Sequence, residues 1–183
     1  TQKELIEQIL DEFEVEYSPS GKQKLVKQLN KFLISQLAQD INVVLIIDEA
    51  QNLTPKVLEE VRMLSNLETE KEKLLQIILM GQPQLKTKLQ HQNLEQFKQR
   101  IAVNFHIEAL TEKETHGYVK HRIKMVTRED TMIFTPEAID LLFSYSKGIP
   151  RIINLVCDSA LLSVYIYELK TITPSIIHEV IKE

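Results

Sequence analysis

The first part of the chain alternates between two kinds of apolar pattern. Apolar residues recur at helical spacing in residues 5–13 and 25–37, whereas residues 42–47 and 74–80 are short, mostly apolar runs. Runs of the second kind predict strands that are covered on both faces, as in a parallel sheet. Residues 101–107 alternate apolar and polar side chains, which predicts a third strand.

Helical signals lie between the predicted strands. Thr54 as N-cap and Pro55 at the first position begin a helix to about residue 67, and shorter helices are expected over residues 85–89 and 94–100. Strands and helices that alternate in this order imply an α/β layer with a parallel sheet and right-handed crossovers.

After residue 110 the strand signals stop. Thr111 and Glu114 form a capping box that opens a helix to about residue 125, and further helices are predicted after Thr135, over residues 151–169 and after Thr173. We therefore predict an α/β part over residues 1–110 and an all-α part over residues 111–183.

Composition and charge narrow the class of protein. A hydrophobic fraction of 43% and a charged fraction of 26% are typical of a globular domain with a sizeable core. The net charge of −4 indicates no bulk attraction to nucleic acid or anionic lipid. The single cysteine, Cys157, excludes an intramolecular disulfide and is typical of a reducing compartment, so we expect a cytoplasmic location. The longest apolar run, residues 43–47, is too short to cross a bilayer.

Two adjacent carboxylates, Asp48 and Glu49, directly follow the first predicted strand. In an open α/β sheet, ligands bind at this end of the strands. One carboxylate can hold Mg²⁺ through water while its neighbour polarises a water that attacks a phosphate. The alternative is that the pair only begins a solvated loop, and the pair alone does not decide between the two.

The dipeptide Gly21-Lys22 resembles the end of a phosphate-binding loop. Such a loop requires Gly-x-x-x-x-Gly-Lys-Ser/Thr between a strand and a helix. Here position 16 is Glu, position 23 is Gln, and no apolar strand precedes. We interpret the dipeptide as a turn and helix start, so the chain has no Walker A motif.

Five phrases stand in a characteristic order along the chain. They are VVLIIDEAQNL (43–53), LEEVRMLSNLET (58–69), LLQIILMGQPQL (74–85), QRIAVNFHI (99–107) and GIPRIINLVCD (148–158). With these phrases the sequence resembles the AAA+ ATPases of the GspA/ExeA type, which are associated with type II secretion and related envelope-assembly systems. The resemblance implies a partial AAA+ P-loop NTPase core followed by a helical lid.

In that family the Walker A strand and loop precede the region seen here. The resemblance therefore implies that the chain begins inside the ATPase domain and that the complete protein binds ATP and Mg²⁺. We expect the chain by itself to bind ATP weakly and to show no turnover. A pseudo-ATPase that has no such loop is the alternative.

The resemblance implies roles for five residues. Asp48 matches the Walker B aspartate, which holds the hydration shell of Mg²⁺, and Glu49 matches the catalytic glutamate. Gln82 lies where sensor 1 residues lie, although a turn residue before a proline is an equal alternative. Arg100 matches the arginine finger and Arg151 matches sensor 2 in the lid. Without the resemblance, both would be ordinary arginines near helix ends.

The resemblance also implies partners. We expect self-association through an ATPase interface, contact with secretion or envelope-assembly components, and a membrane link only through regions outside this chain, for example in a parent protein anchored in the inner membrane. Two alternatives stay open. The first is a DNA-binding ATPase of the TniB/TnsC or origin-recognition kind, against which the net acidity argues mildly. The second is a non-catalytic AAA+ scaffold, against which the intact Asp48, Glu49 and Arg100 argue.

Overall fold

The computed structural model describes residues 1–18, 20–127 and 133–182. It divides into two compact units, Thr1–Asn104 and Phe105–Glu183. The first unit contains the strands and the second is helical, so the change in structural class lies slightly before the division expected at residue 110. The functional assignment of the two parts stays a prediction.

The first unit alternates helices with two strands. Its elements are α1 (Gln2–Glu12), α2 (Lys22–Leu37), β1 (Val44–Ile47), α3 (Pro55–Leu64), β2 (Gln76–Leu79), α4 (Pro83–Leu89) and α5 (Glu95–Lys98), with 3₁₀ turns at Ala50–Asn52 and Gln92–Leu94.

Local sequence signals explain where several of these helices begin. The Thr54 hydroxyl accepts a hydrogen bond from the Val57 N–H, and Pro55 occupies the first turn of α3, as predicted. Gly21 is the N-cap residue of α2, which confirms that the dipeptide Gly21-Lys22 begins a helix.

Strands β1 and β2 pair in parallel, with Leu45 opposite Ile77 and Ile47 opposite Leu79. Helix α3 lies between them in the chain, so the predicted strand–helix–strand unit is confirmed. The parallel pairing matters for function because it brings the carboxyl ends of both strands to the same edge of the sheet.

One face of this sheet packs on the core. Leu45 belongs to an apolar cluster with α1 and α2, and Ile47 and Ile77 contact both this cluster and a second one formed by α3 and α5. On the other face, Val44 and Ile46 keep 40% and 58% of their surface exposed. The prediction that both faces of the first strand are covered is therefore wrong for the part of the chain that the structure describes. The apolar side chains of the neighbouring helices pack on the face that carries Leu45 and Ile47.

The third predicted strand is also wrong. Residues 101–107 have no regular secondary structure, and Val103, Phe105 and Ile107 are 82%, 84% and 85% exposed. A strand exists only when a neighbouring strand satisfies its backbone groups, and among the described residues β1 and β2 are the only strands of the sheet. An alternating pattern records which faces a strand would have, but it does not supply the partner.

The second unit contains four helices in its described residues: α6 (Glu112–Val126), α7 (Pro136–Ser146), α8 (Pro150–Ile166) and α9 (Pro174–Lys182). The predicted capping box of Thr111 and Glu114 is formed. The unit has an apolar core of its own, in which Leu142, Ile153 and Ile177 are fully buried. Burial raises the pKa of the Cys157 thiol on α8 to about 12, as expected for a small buried apolar residue rather than a reactive thiol.

Within the described ranges, no helix is long and apolar enough to cross a membrane.

Candidate functional site

The loop after β1 carries the two predicted carboxylates. Asp48 and Glu49 are both exposed, and the Glu49 N–H donates to Asp48 Oδ1 at 2.7 Å. Glu49 adopts a left-handed backbone conformation with φ of 51°. This conformation costs on the order of 1 kcal/mol for a residue with a side chain, and such strain is found often at functional sites. The loop therefore turns sharply at the residue proposed to act on water.

Backbone hydrogen bonds fix this loop to the end of β2. The Met80 N–H donates to the Ile47 carbonyl at 2.9 Å, and the Ala50 N–H donates to the Met80 carbonyl at 2.9 Å. Ala50 is fully buried. The backbone that carries the two carboxylates is thus fixed relative to the second strand, and a site for phosphoryl transfer requires such positioning.

Gln51 connects the two strand ends through its side-chain amide. Its Nε2 donates to Glu49 Oε2 at 2.5 Å, and its Oε1 accepts from the Gln82 backbone N–H at 3.1 Å. Because a backbone N–H can only donate, the amide must turn its oxygen towards Gln82 and its nitrogen towards Glu49.

Gln82 lies beside the same carboxylate. Its Nε2 donates to Glu49 Oε2 at 3.4 Å, and the residue is also the N-cap of α4, directly before Pro83. The geometry fits both interpretations of Gln82, as a polar residue next to the reacting groups and as a turn residue. Its assignment to sensor 1 stays a prediction.

Lys88 on α4 binds two backbone carbonyl groups of the loop. Its ammonium group contacts the carbonyl oxygen of Gln51 and donates to the carbonyl oxygen of Leu53 at 2.8 Å. Neither Lys88 nor Gln51 was singled out from the sequence. Gln51 stands only two positions after Glu49, so its nearness was a usable signal, whereas no local pattern connects Lys88 with residues 51–53.

The acidic side chains fit the way in which proteins hold Mg²⁺. That ion keeps several waters and takes one or two carboxylates together with substrate phosphates. Asp48 Oδ1 is engaged by the Glu49 N–H, whereas Oδ2 forms no hydrogen bond within the described residues. Asp48 therefore offers the kind of ligand that such an ion takes, and no cluster of three or more potential metal-binding side chains exists among the residues described.

Asp48 also borders a recess between α1 and β1. The recess has a volume of about 300 Å³, and its polar lining includes Glu12 and Gln8 besides Asp48. Two carboxylates and no cationic side chain line it. A phosphate would be repelled there unless a cation accompanied it.

Neither arginine side chain takes part in this hydrogen-bonded group within the described residues. Arg100 is exposed, and its backbone N–H donates to the Phe97 carbonyl at the end of α5. Arg151 is exposed and is the second residue of α8 in the other unit. In the part of the chain that the structure describes, neither guanidinium forms an ion pair. Their roles as arginine finger and sensor 2 stay predictions.

Comparison with known proteins relates the chain to one family by sequence. The family model described as "AAA domain" matches residues 1–89. The general secretion pathway protein A of Aeromonas hydrophila is 40% identical over 166 residues, which cover 90% of this chain and 30% of that protein. The chain therefore spans less than a third of the length of this curated relative.

Solved structures share the fold at low sequence identity. The ORC2 protein of Aeropyrum pernix in its ADP form is 12% identical, with a TM-score of 0.69 over 100% of this chain and 50% of that one. Cdc6p of Pyrobaculum aerophilum is 14% identical, with a TM-score of 0.69 over 97% of this chain and 48% of that one. RuvB of Thermotoga maritima, a Holliday junction branch migration motor, is 15% identical, with a TM-score of 0.60 over 84% of this chain and 48% of that one.

At such identities these structures show the fold alone. Their TM-scores of 0.60 to 0.69 show that the fold is shared over most of this chain. The AAA domain match over residues 1–89 and the 40% identity to general secretion pathway protein A relate the chain to the AAA+ ATPases of the type that this protein represents.

Proposed function

We propose that this chain supplies the water-activating part of an ATP-hydrolysing site. The observation that carries the proposal is the arrangement at the shared edge of β1 and β2, where the Glu49 carboxylate is bound by two side-chain amides directly beside Asp48. Phosphoryl transfer depends mainly on positioning and on stabilising charge, and the rigid strand ends contribute the positioning.

Each carboxylate has a separate role in this proposal. Asp48 would hold Mg²⁺ through waters, and the ion would neutralise charge on the phosphates. Glu49 orients the attacking water and takes a proton from it on Oε1. Gln82, whose amide reaches the same carboxylate, senses the terminal phosphate or the water.

The two arginines complete the site when chains assemble. Arg100 extends to the γ-phosphate held by a neighbouring chain, where a guanidinium stabilises the charge of the transition state. Arg151 contacts the phosphates from the helical unit and reports the nucleotide state to it. Hydrolysis then depends on self-association, so it can drive a change of shape in the assembly.

The proposed reaction needs a phosphate-binding loop that these 183 residues do not contain. The sequence has no Gly-x-x-x-x-Gly-Lys-Ser/Thr motif, and Lys22, which a shorter match would suggest, contacts the buried Glu60 instead. The chain by itself should therefore bind ATP weakly and show no turnover. Measurable hydrolysis by the purified 183-residue chain would contradict this part of the proposal.

The biological task that we propose is to help a type II secretion or related envelope machine to assemble. This rests on the identity with general secretion pathway protein A and on no contact within the structure. The origin-recognition and branch-migration proteins share the fold alone, so they do not favour a DNA-binding function.

The role of Glu49 is tested by Glu49→Gln in the complete protein that carries this chain. The amide keeps the shape of the side chain but cannot accept the proton, so the ATP hydrolysis rate should fall by about 100-fold or more. Nucleotide affinity should stay unchanged. The matched control is Glu70→Gln, since Glu70 is an exposed glutamate outside the site. Hydrolysis at the wild-type rate by the Glu49 variant would disprove the proposed function.

The role of Arg100 is tested by mixing two inactive variants. Arg100→Ala should retain nucleotide binding and lose hydrolysis. Mixing it with Glu49→Gln should restore part of the activity, because some interfaces then combine an intact Glu49 with an intact Arg100 from the neighbour. Equally low activity before and after mixing would contradict a finger that acts between chains.

A further inference from the structure

We infer that Gln51 is a positioning residue, whose side-chain amide fixes the Glu49 carboxylate so that one oxygen is kept for the attacking water. The inference rests on the proposed function of Glu49. It concerns a residue to which neither the family resemblance nor the motif pattern assigned a role.

The two carboxylate oxygens of Glu49 have different surroundings. Gln51 Nε2 and Gln82 Nε2 both donate to Oε2, at 2.5 Å and 3.4 Å. Within the described residues no group donates to Oε1. A general base needs one oxygen free to accept a proton from water, and two donors on the other oxygen leave that one available.

The Gln51 amide cannot rotate by half a turn without losing both of its hydrogen bonds. Its Oε1 accepts from the Gln82 backbone N–H at 3.1 Å. Rotating the amide by half a turn would place two donors against each other at Gln82 and two acceptors against each other at Glu49. The amide is therefore a directional link between the two strand ends.

Gly81 and Lys88 surround Gln51 and limit the positions that it can adopt. A Cβ atom at Gly81 would lie 2.6 Å from Gln51 Oε1, which is closer than such atoms approach. Gly81 leaves the space that the amide oxygen occupies. From the other side, Lys88 contacts the Gln51 carbonyl and fixes its backbone. Side chain and main chain of Gln51 are thus held independently.

A merely structural role for Gln51 makes a different prediction. If the amide only stabilised the loop, its removal would lower stability and nucleotide affinity together with activity. If it positions Glu49, its removal should lower kcat while nucleotide affinity and the unfolding temperature stay the same, because the backbone bonds of Ala50 and Met80 still hold the loop.

The test compares variants of the complete protein in ATP hydrolysis, nucleotide binding and thermal unfolding. Gln51→Ala should lower kcat about 10-fold or more with nucleotide affinity unchanged. Gln51→Glu should be impaired as well, and most at high pH, since an ionised carboxylate cannot donate to Glu49 and repels it. Gln84→Ala, at an exposed glutamine of α4, is the matched control and should leave kcat unchanged.

Gly81→Ala provides a second, independent variant. The added methyl group displaces the Gln51 amide, so kcat should fall in the wild-type background and fall much less when Gln51 is already alanine. Such non-additivity is the signature of two residues that act through one contact. The fall in kcat of the single Gly81→Ala variant can be measured even if Gln51→Ala folds poorly.

The outcomes separate this inference from the function on which it rests. If Glu49→Gln stops hydrolysis but Gln51→Ala and Gly81→Ala keep the wild-type kcat, the positioning role alone is overturned. It is also overturned if Gln51→Ala lowers the unfolding temperature and nucleotide affinity in step with kcat. If Glu49→Gln itself hydrolyses ATP normally, the proposed function fails first.

Discussion

Glu60 and Lys22 illustrate how a single residue can acquire a role that its sequence neighbours do not suggest. Glu60 on α3 is only 2% exposed, and its carboxylate contacts the Lys22 ammonium group. The same ammonium lies 3.5 Å from Gln2 Oε1, and Gln2 Nε2 donates to the Lys56 carbonyl at 2.9 Å. Lys22, which follows a glycine as in a phosphate-binding loop, is instead the counter-ion that links three helices.

We predict that Lys22→Met destabilises the first unit by about 2 kcal/mol. Removing one partner leaves a buried charge without compensation, a loss of about 3–5 kcal/mol when both partners are buried, and less here because Lys22 is 41% exposed. The measurement is urea unfolding at neutral pH. Lys24→Met, at an exposed neighbour on the same helix, should change stability by less than about 0.5 kcal/mol.

The partner substitution distinguishes charge from packing in this prediction. Lys22→Met combined with Glu60→Gln should recover part of the lost stability, because no buried charge is then left unpaired. Equal losses in the single and the double variant would mean that Lys22 contributes through its aliphatic stem alone.

At the scale of elements, the connections between helices are specified by particular backbone conformations. Helix α7 ends at Ser146, and the next two residues are left-handed, with φ of 52° at Lys147 and 75° at Gly148. The Gly148 carbonyl then accepts from the Leu110 N–H at 2.9 Å. This bond fixes the start of the second unit against the turn that precedes α8.

We predict that Gly148→Ala destabilises the second unit by several kcal/mol, on the order of 3. A Cβ there would lie 1.8 Å from the Leu110 carbonyl oxygen, and the backbone conformation is strained for alanine. Gly117→Ala is the control. Gly117 lies within α6 with nothing within 4 Å of the added atom, so that change should stabilise by about 0.5–1 kcal/mol. Thermal unfolding monitored by circular dichroism measures both, and a Gly148 variant as stable as the wild type would contradict the close approach.

The capping box at the start of α6 should make the stability of the second unit depend on pH. Hydrogen bonds from the Thr111 backbone N–H and hydroxyl lower the pKa of Glu114 below its ordinary value. A lowered pKa in the folded state means that the contribution of the ionised carboxylate to stability is present above the ordinary pKa of a glutamate and is lost as the pH falls. Thr111→Ala removes one of the two donors, so the Glu114 pKa measured by NMR titration should move part of the way back. No movement would show that the backbone N–H alone sets it.

At the scale of the whole molecule, each compact unit is stabilised by its own apolar core. Leu29 is fully buried in a cluster formed by α1, α2 and β1, and Leu142 is fully buried in a cluster formed by the helices of the second unit. Among the described residues, the core of the second unit shares no member with either apolar cluster of the first unit. We therefore expect a core mutation in one unit to lower the stability of that unit alone.

We predict that Leu29→Ala and Leu142→Ala destabilise different parts of the chain. Each should cost about 2–5 kcal/mol of the stability of its own unit, because each leaves a cavity in a closely packed core. Amide hydrogen exchange resolves the difference, since protection should fall over residues 1–104 in the first variant and over residues 105–182 in the second. Uniform loss of protection in either variant would show that the chain unfolds as one cooperative body.

The family resemblance predicted only those site residues that have a recognised role within the matching motifs. It assigned Asp48, Glu49 and Gln82 from the phrases around the strand ends, and the structure brings Glu49 and Gln82 within 3.4 Å. It assigned nothing to Gln51 or Lys88. Their contacts join residues 31 and 37 positions apart, and such contacts depend on strand pairing rather than on local pattern.

The sequence by itself determined the features that are decided within a few residues. Helix starts at Thr54, Thr111 and Thr135 follow from local hydrogen bonds between a hydroxyl and the next turn, and the two short apolar runs form β1 and β2. Only the tertiary structure decided that residues 101–107 form no strand, that one face of the sheet is exposed and that Gln51 bridges two strand ends. Local preferences are satisfied by neighbours in the chain, whereas pairing, burial and the meeting of distant side chains depend on which surfaces are present to be paired.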